Sequence, residues 1–270
     1  MAKRRHEWND RTYNKYLREG RGQGAGAGYK PWIIIHDFSS VGFASRVVGT
    51  KAGRIHHLMS NLELYLFYLL DWSDDILDIR EQYPLADFVK AIEIAETAGI
   101  PYPYDPKSGF PYVMTSDFFI ETKQGAKVLS VKPSSELSKP RVREKLEIER
   151  RYWREHGISW SIITEREINR TKARNIEWLA QSKDLRVFGI HEYLMSDCIR
   201  YFLELYCAGR SPLPAIIAEV ENEFNFGAGI GVNIFKYLAY WKLIAFDAER
   251  TVDFSVFSAG MKLRYVGGTA

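Results

Sequence analysis

"YVMTSDFFIETKQGAKVLSVKP", residues 112–133, holds two apolar segments of strand character and the turn between them. Aromatic and β-branched residues fill both halves, and Lys123, Gln124 and Gly125 supply the turn. Two charges are out of place. Aspartate is a poor strand residue, yet Asp117 stands inside the first segment. Lys132 closes the second, directly before Pro133. Alternation groups Asp117 with Thr115 and Phe119, and Lys132 with Val128 and Ser130. If the two segments pair through their short turn, Asp117 and Lys132 come close together. Taken singly, each has an ordinary reading: an aspartate near a strand end, and a lysine snorkelling to the surface.

Working outward, "PWIIIHDF" (31–38) and "SRVVGTKAGRIHHL" (45–58) read as strands joined by turns. "SNLELYLFYLLDW" (60–72) reads as a buried helix, with Ser60 and Glu63 as its capping box. "ILDIREQYPL" (76–85) is extended, and "PLADFVKAIEIAETAGI" (84–100) is a helix ending at Gly99. Pro140 opens a helix that runs to His156, where Gly157 stops it. "ISWSIIT" (158–164) returns as a strand, and Thr164 with Glu167 caps the helical segments after it. Three helices follow, ending at Gly209, near Phe224 and at "NIFKYLAYWKLIAF", and then the strand pair "TVDFSV" and "KLRYVG". Three helices and a hairpin are the order of a winged helix. The expectation is therefore an α/β chain: a basic N-terminal arm (1–30), a mixed-sheet domain flanked by helices (31–168), and a smaller winged helix domain (169–270).

Composition allows this. The 270 residues are 46% hydrophobic and 26% charged, ordinary for a globular chain with a sizeable core. No apolar run approaches the roughly 18 residues of a membrane span. The basic start lacks the apolar stretch of a secretory signal. The two cysteines, Cys198 and Cys207, fall within one helical pattern, which argues against a disulfide framework and suits a reducing cytoplasm. Net charge is only +3. Basic residues crowd the arm, where Arg4, Arg5 and Arg21 are candidate phosphate contacts, as are Lys51 and Arg54 further on. "GRGQGAGAGY" (20–29) lacks the strand and Gly-Lys-Ser/Thr of a phosphate loop, so it reads as a flexible connector.

Glu63 joins Asp117 and Lys132 as a charge in an apolar setting. It is the one carboxylate in its helix before Asp71, and a buried carboxylate costs several kcal/mol unless paired or protonated. Its capping role is a sufficient local explanation, so both readings stand. An early glutamate, a strand aspartate and a lysine ending the next strand is the order found in metal-dependent nucleases. There two carboxylates hold Mg2+ and the lysine stabilises charge on phosphorus. Such sites usually carry an acid two positions before the lysine; Ser130 stands there instead. The backbone carbonyl of Val131 is a candidate oxygen ligand beside it. Glu149, on the apolar stripe of its helix, is placed to support the site or to pair with Lys145. His57 is placed to touch phosphate, or is a polar strand-end residue.

The blocks "EGRGQGAGAGYKPW", "GRIHHLMSNLEL", "ILDIREQYPL", "MTSDF", "VKP", "KLEIERRYW", "TEREIN" and "NIEWL", in that order, resemble the TnsA family, the endonuclease subunits of heteromeric cut-and-paste transposases. The likeness is close over residues 19–179; beyond that mainly the domain type agrees. The resemblance implies a restriction-endonuclease-like catalytic domain followed by a winged helix. It implies Mg2+-dependent cleavage of transposon 5′ ends, with Mn2+ able to substitute. Its implied partners are transposon-end DNA, a TnsB-like DDE transposase, and a TnsC-like AAA+ ATPase met through the carboxyl-terminal domain. By position it gives Glu63, Asp117 and Lys132 the catalytic roles. Where the family's best-known pattern reads Gln-Val-Lys, this sequence has Ser-Val-Lys. A restriction or junction nuclease, and a non-catalytic adaptor with a site eroded at Ser130, remain as alternatives.

Overall fold

The structure, a computed structural model, describes residues 7–37 and 43–250. Arg4, Arg5 and the expected terminal hairpin lie outside the described residues. The chain divides into two compact units, one up to Ile168 and one from Asn169.

The first unit is built on a four-stranded mixed sheet in the order β3-β4-β5-β6. Its strands are β3 (Ile76–Pro84), β4 (Thr115–Thr122), β5 (Gly125–Val131) and β6 (Ser159–Ile163). β4 and β5 form the hairpin expected from residues 112–133, antiparallel in register from Phe118↔Leu129 to Thr122↔Gly125. β6 lies parallel to β5, and parallel neighbours need a crossover. Here it is α4 (Pro140–Glu155), opened by Pro140 at its first turn. A separate antiparallel pair, β1 (Ser45–Val48) and β2 (Ile55–Leu58), precedes the sheet in sequence.

Both sheet faces are covered. On one, Phe118, Ile120, Leu129 and Val131 cluster with Leu66 and Phe67 of α2 (Asn61–Asp71). On the other, Phe119 and Val128 cluster with Ala91 and Ile94 of α3 (Phe88–Thr97) and with Ile148, Tyr152 and Trp153 of α4. Each fully buried aromatic or aliphatic side chain in such a core contributes on the order of 1.5–3 kcal/mol.

Three expectations need correction. Residues 31–37 form no strand; Ile35–Asp37 make a single 3-10 turn, because Arg21 binds Asp37 and the Trp32 carbonyl and so folds the segment onto itself. The described part of the arm is not free: α1 (Asp10–Arg18) follows Trp8, and Trp8, Tyr16, Trp32 and Val113 form a buried cluster. An aromatic-rich segment can bury itself even when it is strongly basic. Residues 20–29 are an ordered loop rather than a flexible connector. The Gly26 amide donates to Asp78, and a Cβ at Gly24 would stand 2.7 Å from the Gly28 carbonyl oxygen.

The second unit contains α5 (Arg170–Ala180), α6 (Glu192–Ala208), α7 (Leu213–Glu223) and α8 (Ile230–Tyr240). Gly209 ends α6 in the left-handed conformation, as its position predicts. Gly231 lets α8 approach α7, since a Cβ there would meet the Ile217 carbonyl at 2.8 Å. Glu221 accepts from the Gly229 and Gly231 amides and so caps α8. Among the described residues no helix is long and apolar enough to cross a membrane.

Candidate active site

Where the β4–β5 register ends at Phe118↔Leu129, the two strands part, and Asp117 stands at the fork. Its Oδ2 takes over the next rung, accepting from the Val131 amide at 2.6 Å and from Lys132 Nζ at 2.7 Å. Lys132 Nζ also donates to the Val131 carbonyl at 2.8 Å, and its own amide donates to Ile163, holding it against β6. Among the described residues Asp117 Oδ1 accepts no hydrogen bond. The Lys132 side chain is 34% exposed, so the pair opens to solvent on one side.

Glu63 arrives from the first turn of α2. Ser60 Oγ accepts from the Glu63 amide at 3.2 Å and donates to its carboxylate at 2.9 Å, while Met59 N donates to the other oxygen. The capping box is thus real, and it also aims the carboxylate. Glu63 is 5% exposed. Burial first, and the neighbouring Asp117 charge second, push its carboxyl up to about 7, against the pull of its hydrogen bonds and Lys132. The Lys132 ammonium is disfavoured by burial, but Asp117 outweighs this and raises it above the usual lysine range. The capping box therefore leaves the Glu63 carboxylate within electrostatic reach of Asp117 and Lys132.

Ser130 is buried at 1% and does not face open space. Its hydroxyl donates to Glu149 and accepts from the Trp160 indole at 3.0 Å. Glu149 is held by Ser130 and Ser116 and lies within electrostatic reach of Asp117 and Lys132; burial raises its carboxyl. It does not pair with Lys145, which among the described residues has no ion pair. Burial lowers the Lys145 ammonium, and Arg141 and Lys132 nearby add to this.

The strand phase also needs correction at Asp117. Ser116 accepts from the Trp153 indole at 2.8 Å and so turns to the α4 side, with Phe119. Phe118 faces α2. Residues 116 and 118 therefore lie on opposite faces, which regular alternation forbids. The irregularity falls at Asp117.

Several charged candidates have other employment. Arg54, expected at phosphate, gives both terminal nitrogens to Glu81 at 2.9 and 2.6 Å and its side chain is 9% exposed. Glu81 also binds His56 Nδ1 at 2.7 Å and the His57 amide. Burial would raise this carboxyl, but His56 and Arg54 outweigh it and hold it down at about 2. Arg21 is 11% exposed, paired with Asp37 and Glu19 and laid over the Tyr16 ring. Both arginines tie elements of the fold together through these pairs. Lys51 remains half-buried, its amide on Asp71. His57 is half-buried and accepts weakly from Ile35 N at 3.4 Å. It has no hydrogen bond to Glu63, Asp117 or Lys132 among the described residues.

Two carboxylates, a backbone carbonyl and a lysine at a strand fork are a hard-oxygen donor set with an acid pair that repels itself. A divalent cation with oxygen preference fits that chemistry. Among the described residues no group of three or more histidine, cysteine, aspartate or glutamate side chains is set to hold a metal, so the carbonyl and solvent would have to complete any shell.

Residues 73–165 match the family model for the TnsA-like endonuclease N terminal, and residues 167–248 match that for the TnsA endonuclease C terminal. The chain is 41% identical over 186 residues to the transposon Tn7 transposition protein TnsA of Escherichia coli, covering 68% of this chain and 67% of that protein. The chain belongs to the TnsA family of transposition endonucleases. The TnsA N-terminal match takes in Asp117 and Lys132 but begins after Glu63. The junction of the two TnsA matches falls beside the division of the fold at Ile168.

Proposed function

We propose that this protein is the DNA-cleaving subunit of a heteromeric cut-and-paste transposase, hydrolysing the phosphodiester at the element's 5′ ends with Mg2+, or with Mn2+ in its place. The supporting observation is that Asp117 and Lys132 pair at the open end of the β4–β5 hairpin while Glu63, from α2, lies within electrostatic reach of both. Glu63, Asp117 and the Val131 carbonyl would hold the cation, which supplies Lewis-acid polarisation of the phosphate. Lys132, steered by Asp117, stands ready to balance charge that builds on phosphorus. Glu149 and Ser130 hold the β5 end from behind.

The mixed sheet, helices on both faces and an acid at the strand fork support a restriction-endonuclease-like first unit. The order α6, α7, α8 supports a winged helix in the second. There Lys236 is turned inward, donating to Gln181 at 3.1 Å with Trp178 beneath it. That supports a protein-contact role for this unit over base reading, with a TnsC-like AAA+ ATPase as its partner and a TnsB-like DDE transposase cutting the other strand. The relative's name, a Tn7 transposition protein, supports the same setting.

The test is Asp117→Ala in the assembled transposase on transposon-end DNA with Mg2+. Loss of 5′-end cleavage with 3′-end cleavage retained is expected. Persistent 5′ cleavage would put the chemistry elsewhere.

A further inference from the structure

Among the described residues three non-glycines have positive φ: Gln82, Asn225 and Lys242. The last two follow helix ends, where such backbone is common. Gln82 is different, because at φ 48° it lies inside β3. A left-handed residue with a Cβ inside a strand is strained and persists only when its surroundings fix it.

Those surroundings are the candidate active site. The register pairs Glu81 with Phe118 and Tyr83 with Ser116, so Gln82 stands across from Asp117. Its side chain is buried between the two acids' elements. Nε2 is 3.4 Å from Glu63 Oε2, and Oε1 accepts from Thr115 Oγ1 at 3.1 Å. Its carbonyl accepts from the Trp32 amide at 3.2 Å. The strain also explains the phase change: Glu81 turns toward His56 and Arg54, whereas Tyr83 stacks on Phe119 and Trp153 on the other side. Both strands therefore switch face at the same rung, Gln82 and Asp117.

We propose that Gln82 is a positioning residue of this endonuclease: its side-chain amide bridges Thr115 of β4 and the Glu63 carboxylate, and so keeps Glu63 turned toward Asp117 for cation binding. The inference rests on the metal-site reading above. An amide suits the task because it donates to a carboxylate without neutralising it. A lysine or arginine there would compete with the cation, and a glutamate would add a third repelling acid. The Glu63 carboxylate, an acceptor when ionised, selects the Nε2 end of the amide, and Oε1 is left to accept from the Thr115 hydroxyl, which can serve either end.

A purely architectural role is the competing explanation, in which the left-handed backbone serves the phase change and the side chain is incidental. Glycine separates the two, because it adopts the same backbone without strain and keeps the phase change while removing the amide. The experiment is Mn2+ titration of the full chain by calorimetry, with thermal unfolding in chelator alongside, for the parent, Gln82→Gly and Asp117→Asn. Gln82→Gly is expected to unfold at or above the parent temperature yet bind Mn2+ roughly tenfold more weakly, the scale found for groups that orient metal ligands. Binding within twofold of the parent would overturn the proposal and leave only the architectural role. Should Gln82→Gly fail to fold, Gln82→Asn, which also tolerates left-handed backbone but is a methylene shorter, gives the same discrimination. If the parent binds no Mn2+, or Asp117→Asn binds it equally well, the metal-site reading itself falls and takes this inference with it.

Discussion

Replacing Glu63 with glutamine should stabilise the cation-free protein while destroying its activity. Glu63 is 5% exposed and its carboxyl is raised from 4.5 to about 7 by burial and by Asp117. A folded-state value above the unfolded one means the charged form is penalised by folding. The penalty is absent below about pH 4.5, grows through the window up to 7, and is complete above it. At about 1.4 kcal/mol per pH unit, a shift of this size costs about 3 kcal/mol at pH 8. Glutamine keeps an acceptor for the Met59 amide but disturbs the Ser60 hydrogen bond, worth about 1 kcal/mol. The net gain is about 2 kcal/mol, or about 4–8 °C in Tm for a unit of this size. Calorimetric melts of parent and Glu63→Gln in chelator, at pH 5 and pH 8, read the effect. A gain at pH 8 that shrinks strongly at pH 5 is expected, and millimolar Mg2+ should reverse the order by stabilising the parent alone. A variant less stable than the parent at pH 8 in chelator, or offset equally at both pH values, would refute the reasoning. Glu63 would then be an ordinary capping carboxylate.

Other outcomes follow from the same geometry. Glu81→Gln leaves Arg54 and His56 buried without their anion and should cost about 3–5 kcal/mol; a loss under about 1 kcal/mol in urea denaturation would show that the cluster does not hold β2 to β3. Ser130→Ala strips Glu149 of a donor and Trp160 of an acceptor, for an expected loss of about 1–3 kcal/mol. Ser130→Gln is expected to cleave no faster than the parent, and a large rise would favour the eroded-adaptor reading. Lys145→Ala removes a cation beside Lys132 that has no ion pair among the described residues. It should weaken binding to transposon-end duplex and lower the salt slope by about 1, without changing sequence preference; an unchanged slope would remove Lys145 from the DNA path.

What the sequence made legible, and what it hid, has a physical pattern. The hairpin of β4 and β5, the Ser60–Glu63 box, the Pro140 helix start and the Gly209 helix end are local events, each written in consecutive residues. Glu63, Asp117 and Lys132 stand out as candidates for the opposite reason, since each breaks the local rule of its element, and the structure brings Asp117 and Lys132 into contact. The anion of Arg54, Glu81, lies 27 residues away and is invisible to any local window. Arg21 is the same case with Asp37, 16 residues on. Gln82 was hidden more deeply: glutamine in a strand violates no composition rule, and only its φ marks it. Its strain, the shared change of strand phase and the Asp117 fork coincide at one rung, and a break in sheet regularity costs stability that a merely structural strand has no reason to give up. On the metal-site reading proposed above, Asp117 stands in that rung and Glu63 beside it at the end of the Gln82 side chain, so the irregular backbone and the unfavourable charges would be one feature: a fold bent to keep an anionic pair together in advance of a cation.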